Sequence, residues 1–185
     1  MLSLIFAHPY PDRSRAGRRL FDAATALPNV EARSLYDLYP DFGIDVAAEQ
    51  DALRRADAVV WQHPMYWYSV PGLLKHWFDK VLTRGFAYGG ATAALRDKRC
   101  LWVVTTGGDE SAFRPDGMHA HELSAFVPHV RQTAEFCGMH WEEPIVVHAA
   151  HRIDDAALDH AASRYRDRLT ALLDTMNETA KETSS

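Results

Sequence analysis

Short apolar runs alternate along the chain with segments whose hydrophobic positions recur at helical spacing. Leu2 to Ala7, Val30 to Leu35, Asp57 to Gln62, Arg99 to Thr106 and Trp141 to Val147 read as five strands, the first buried on both faces because it does not alternate. Helices are expected over Ser14–Leu27, Val46–Ala56, Val70–Leu82, Leu123–Cys137 and Asp154–Met176. In the third of these, Leu73, Leu74, Trp77, Phe78, Val81 and Leu82 fall on one side, with Ser69 placed as a cap and Pro71 in the first turn. Asp37 to Gly43 reads as a loop. Thr83 to Lys98 is a long Gly- and Ala-containing connection, of a length that suits a segment folding over a ligand. Asn177 to Ser185 is a polar tail expected to fray.

Five strands separated by helices imply a parallel sheet with right-handed crossovers, and so one doubly wound α/β domain over residues 1–176 with helices on both faces. The flavodoxin-like order 2-1-3-4-5 sets the carboxyl ends of strands 1, 3 and 4 side by side, so their loops should share one site. The length of 185 residues supports a core without disulfides. A net charge of -5 argues against a general nucleic-acid binder. No stretch has the layout of a signal peptide or a membrane span, and a cytoplasmic chain is expected. Cys100 and Cys137 are read as reduced and structural. Zinc at His119, His121, Glu122 and His129, or at His148 and His151, is disfavoured by the spacing, so no metal is expected.

The loop after strand 1 carries no dinucleotide or nucleotide-triphosphate fingerprint. It crowds Arg13, Arg15, Arg18 and Arg19 into a helix start, where the helix dipole disfavours cations unless an anion binds. The backbone N–H groups of Arg15, Ala16 and Gly17, the Ser14 hydroxyl and the His8 imidazole form a candidate phosphate site. The other reading is four solvated arginines and a locally packed histidine. Strand 3 runs into Met65, Tyr66, Trp67 and Tyr68 between Pro64 and Pro71. These large side chains either line a flat ligand or close the top of the core. After strand 4, Thr105, Thr106, Gly107 and Gly108 offer hydroxyls and open backbone to a planar ligand's edge.

Together AHPYPDRS (7–14), LYDLYPDF (35–42), residues 48–81, GFAYG (85–89) and TTGGDES (105–111) resemble the flavin-dependent NAD(P)H:quinone reductases of the flavodoxin-like fold. The resemblance extends most closely to the ancillary subunits of glutathione-gated potassium-efflux systems. It implies an FMN, with FAD as the alternative, whose phosphate sits at His8 and Ser14 to Gly17 and whose ring lies against Met65 to Tyr68 near Thr105 to Gly108. NADPH or NADH would be the co-substrate and a quinone the electron acceptor. The resemblance further implies a homodimer and a membrane antiporter as possible partner, met at the inner face of the membrane. It places a charge-steadying histidine at His119 and a tyrosine hydroxyl at position 113, where this chain has Phe113. Arg114, His121 or solvent are the candidates for replacing that hydroxyl.

Overall fold

The computed structural model describes residues 1–183, so Ser184 and Ser185, the end of the expected tail, lie outside the described residues. Strands β1 (Leu2–Phe6), β2 (Val30–Ser34), β3 (Ala58–Pro64) and β4 (Arg99–Thr105) form a parallel sheet in the order β2-β1-β3-β4, with a fifth position beyond β4. That position is filled twice, by β5 (His140–Trp141) and β6 (Ile145–Val147), both parallel to β4. The single strand expected there is broken before Pro144, whose ring has no N–H to give the ladder.

Helices α1 (Arg15–Thr25) and α6 (Asp155–Thr183) cover one face, meeting the Leu2, Leu4, Ala58, Val60, Leu101 and Val103 side chains. The short α2 (Leu35–Leu38) with α3 (Val46–Arg55), α4 (Gly72–Val81) and α5 (Pro128–Phe136) covers the other, where Ile5, Val59, Trp61, Cys100, Trp102 and Val104 point. Each central strand thus buries both faces, as its apolar run requires. Asp45 caps α3 by accepting from Ala48 N–H, and Asp154 accepts from Ala157 N–H at the start of α6. The last helix runs past Met176 to Thr183.

Three expected element details are corrected. Leu123–Phe126 is a 3-10 turn, and α5 begins at Pro128, whose fixed φ suits a first helical position. Ser69 does not cap α4; Pro71 precedes the helix, and Ser69 closes a turn instead. The segment 83–98 does not cover a cleft: Phe86, Ala87 and Leu95 are buried in the α3–α5 core, which fixes it there.

Candidate functional site

Four loops meet at the carboxyl end of the sheet around a cleft of about 490 Å³. The first leaves β1 through His8 and enters α1. The Tyr10 N–H donates to His8 Nδ1 at 3.0 Å, so Nε2 carries the proton and is free to donate. Burial and the neighbouring His151 hold the His8 imidazole below its ordinary pKa, which keeps it neutral. The first intrahelical bond runs from Arg18 N–H to Ser14 O. Among the described residues, the Arg15, Ala16 and Gly17 N–H groups therefore have no backbone acceptor. Ser14 is 7% exposed and its side chain makes no capping bond. A Cβ on Gly17 would stand 2.5 Å from Ser14 Oγ, so only glycine lets the hydroxyl lie there.

The arginines at this helix start do not await an anion. Arg15 donates to Ile153 O and Asp155 Oδ1, Arg18 pairs with Asp22, Arg19 pairs with Asp159, and Arg13 lies over the Tyr10 ring. Asp155 and Asp159 of α6 and Asp22 of α1 balance the charge of three of these arginines. The arginines border a larger trough of about 790 Å³ beside the cleft.

The second loop leaves β3. His63, fully buried, accepts from Trp102 Nε1 at 2.7 Å through Nε2, while Nδ1 donates to Pro64 O; burial pushes its imidazole down to about 4. Tyr66 and Ser69 then exchange both backbone bonds across a two-residue turn. Its central residues, Trp67 and Tyr68, have φ of 49° and 62°, the left-handed conformation at two large non-glycine positions. Met65 and Tyr66 line the cleft. Trp67, 93% exposed, is at the turn's tip and does not. Tyr68 leans away to stack on Phe126 and to place its hydroxyl 3.3 Å from His119 Nδ1.

In the third loop Thr105, Thr106 and Gly107 line the cleft. The Thr106 hydroxyl is already used, donating to Gly108 O and meeting His148 Nδ1 at 3.0 Å, and its N–H donates to Val147 O. Among the described residues, the Thr105 hydroxyl and the Gly107 and Gly108 N–H groups of this loop make no hydrogen bond. Gly108 and His119 lie in an adjoining hollow that shares Gly107 with the cleft, so His119 stands at its rim.

The fourth loop follows β6. Ala149 N–H donates to Gly108 O and Ala150 N–H to Thr106 O, which sets Ala150 and His151 on the cleft wall. Neither was among the expected ligand contacts. Because the fifth strand position lies beside β4, the strand order itself contained the signal. Among the described residues no group of three or more His, Cys, Asp or Glu converges as a metal cage.

A neutral donor imidazole, a buried hydroxyl, unpaired first-turn amides and a glycine amide around one slot, with a second glycine amide in the adjoining hollow, are the contacts that a phosphate-bearing planar ligand needs. The chain belongs to the flavodoxin-like fold family, which matches over residues 2–169. It is 53% identical over 169 residues to the glutathione-regulated potassium-efflux system ancillary protein KefF of Klebsiella aerogenes, covering 91% of this chain and 94% of that protein. Among solved structures it resembles a tryptophan halogenase enzyme from Streptomycin violaceusniger (TM-score 0.85, 36% identity, covering 91% and 98% of the two chains). It is also similar to general stress protein 14 of Treponema denticola in complex with FMN (0.82, 32%, 92% and 97%). An NADPH-quinone reductase from P. pentosaceus is a further likeness (0.82, 28%, 91% and 96%). The fold family and the kinship with potassium-efflux ancillary proteins, both expected from the loop strings, are found.

Proposed function

We propose that the chain is a flavin-dependent NAD(P)H:quinone oxidoreductase working by two-electron, ping-pong hydride transfer, with FMN as its flavin. The observation that carries this reading is the convergence of His8, Ser14, the unpaired amides of Arg15 to Gly17 and that of Gly107 on one cleft, with the Gly108 amide in the hollow that adjoins it. In it, the His8 Nε2–H, the Ser14 hydroxyl and the first-turn amides hold the phosphate. The Gly107 and Gly108 amides donate to the edge of the ring system, Met65 and Tyr66 line the slot, and Trp67 and Tyr68 form its rim. His151 borders the same slot, beside His8. Arg15, clamped to Ile153 O and Asp155, borders the phosphate end. Bound FMN would supply the hydride chemistry, taking two electrons from NADPH or NADH and giving them to a quinone. The chain supplies orientation, donors and exclusion of water, and His119 at the rim steadies developing negative charge.

The exposed Trp67 and Met118 beside the cleft favour a homodimer whose second copy covers this end of the sheet. The 53% identity to a potassium-efflux ancillary protein supports a second, compatible role. In that role the cytoplasmic chain docks on an antiporter at the membrane surface, and flavin binding serves regulation. The deciding experiment is steady-state kinetics of FMN-loaded protein with NADPH, NADH and a soluble quinone. Parallel double-reciprocal lines are expected. Bound flavin with no turnover would leave only the regulatory role standing.

A further inference from the structure

Phe113 has no hydroxyl to offer His119, yet His119 is not without one. The Tyr68 Oη lies 3.3 Å from His119 Nδ1, with the two rings edge to face at 5.5 Å. The phenol comes from the loop after β3, not from His119's own loop. Its place is fixed twice over, by the left-handed turn at φ 62° and by stacking on Phe126 at 5.2 Å. Phe113 packs on the His119 ring at 4.5 Å and supplies only apolar surface. On the far side of the imidazole, Nε2 lies 2.9 Å from where a Cβ on Gly108 would stand, so this nitrogen overlies the glycine edge. Among the described residues Arg114 and His121 make no hydrogen bond or ring contact with His119; His121 packs near Phe126.

We propose that Tyr68 is the positioning residue for His119: its O–H donates to Nδ1, so that Nε2 carries the hydrogen and faces the Gly107–Gly108 side of the cleft. The donor pair of the site is then built across two loops, and the strained turn holds the phenol that the loop after β4 lacks. A phenol and an imidazole joined this way couple the aromatic turn to the rim of the cleft. Whatever moves Trp67 and Tyr68 also turns His119.

This inference rests on the flavin reading for its use in catalysis, but the pairing is testable without cofactor. In ¹⁵N imidazole spectra of the ligand-free protein, the His119 Nδ1 resonance should be that of a hydrogen-bond acceptor. It should move to the free-acceptor position in Tyr68→Phe, which keeps the ring stacked on Phe126. Adding Phe113→Tyr to that variant should restore it, because position 113 already touches the imidazole. In the FMN-loaded protein, Tyr68→Phe and His119→Gln should each slow reduction by NAD(P)H about tenfold, the worth of one hydrogen bond, and the double variant no further. A His119 Nδ1 resonance unmoved by Tyr68→Phe overturns the pairing. A resonance that moves as expected while the reduction rate stays unchanged upholds the pairing and counts instead against the catalytic use of the cleft.

Discussion

A Cβ on Gly17 would press on the Ser14 hydroxyl, and the Ser14 side chain can rotate away from it. Gly17→Ala should therefore keep the fold, with the better helix propensity of alanine worth about 1 kcal/mol in compensation. Flavin affinity should fall all the same, by the roughly 1.5–3 kcal/mol expected of Ser14→Ala, because the hydroxyl leaves the cleft. Titration of FMN into both single variants and the double variant checks this, with strong non-additivity as the expected outcome. His63 gives a pH prediction. Its folded pKa of about 4 lies below the ordinary 6.5, so between these values the unfolded chain binds more protons than the folded one. Stability should accordingly fall as pH drops through that window, by up to about 3 kcal/mol. Urea unfolding near pH 7 and near pH 4.5 should show a smaller pH effect in His63→Gln than in the wild type, since other acid-sensitive groups are common to both.

At the scale of elements, the segment after β2 is fastened by one buried carboxylate. Glu49 of α3 accepts from Arg33 Nε at 2.7 Å, from the Tyr39 hydroxyl at 2.5 Å and from Trp77 Nε1 at 2.9 Å. Glu49→Ala would leave the Arg33 charge with only Glu31 at 3.5 Å and a buried indole N–H with no acceptor, and should cost roughly 3 kcal/mol by denaturant unfolding. In the sequence, LYDLYPDF (35–42) looked like a family signature; in the fold its Tyr39 is a strut of this network. The aromatic turn behaves in the opposite sense. Trp67→Gly removes a large residue from a left-handed position and should stabilise the chain by up to about 1 kcal/mol, while changing access to the cleft.

Much of this level is legible in the sequence. The five strand positions, their order and the meeting of three loops followed from apolar runs, turn residues and handedness. The two-residue turn did not, because Trp67 and Tyr68 carry none of the glycine or asparagine that usually announces positive φ. The partners of the arginines could not be read either, since Asp155 and Asp159 lie some 140 residues away and meet α1 only when α6 packs beside it. The break before Pro144 is legible as a proline inside a strand run.

For the whole molecule, the fold, the slot at the switch point and the similarity to efflux ancillary proteins support the proposed reading of a redox domain that works with a partner. Among the described residues no helix is long and apolar enough to cross a membrane. The homodimer belongs to this scale: sedimentation of wild type and of a Trp67→Glu/Met118→Glu variant should give a dimer and a shift toward monomer, respectively. The central claim is that the loops after β1, β3 and β4, backed by the loop after β6, hold a flavin. The visible absorption spectrum of the purified protein, followed by titration with FMN, tests it most directly. The account predicts flavin bands from about one bound FMN per chain, lost on His8→Ala/Ser14→Ala and with the fold preserved. A colourless protein that takes up no added FMN, or a double variant that binds it as well as the wild type, would contradict the account.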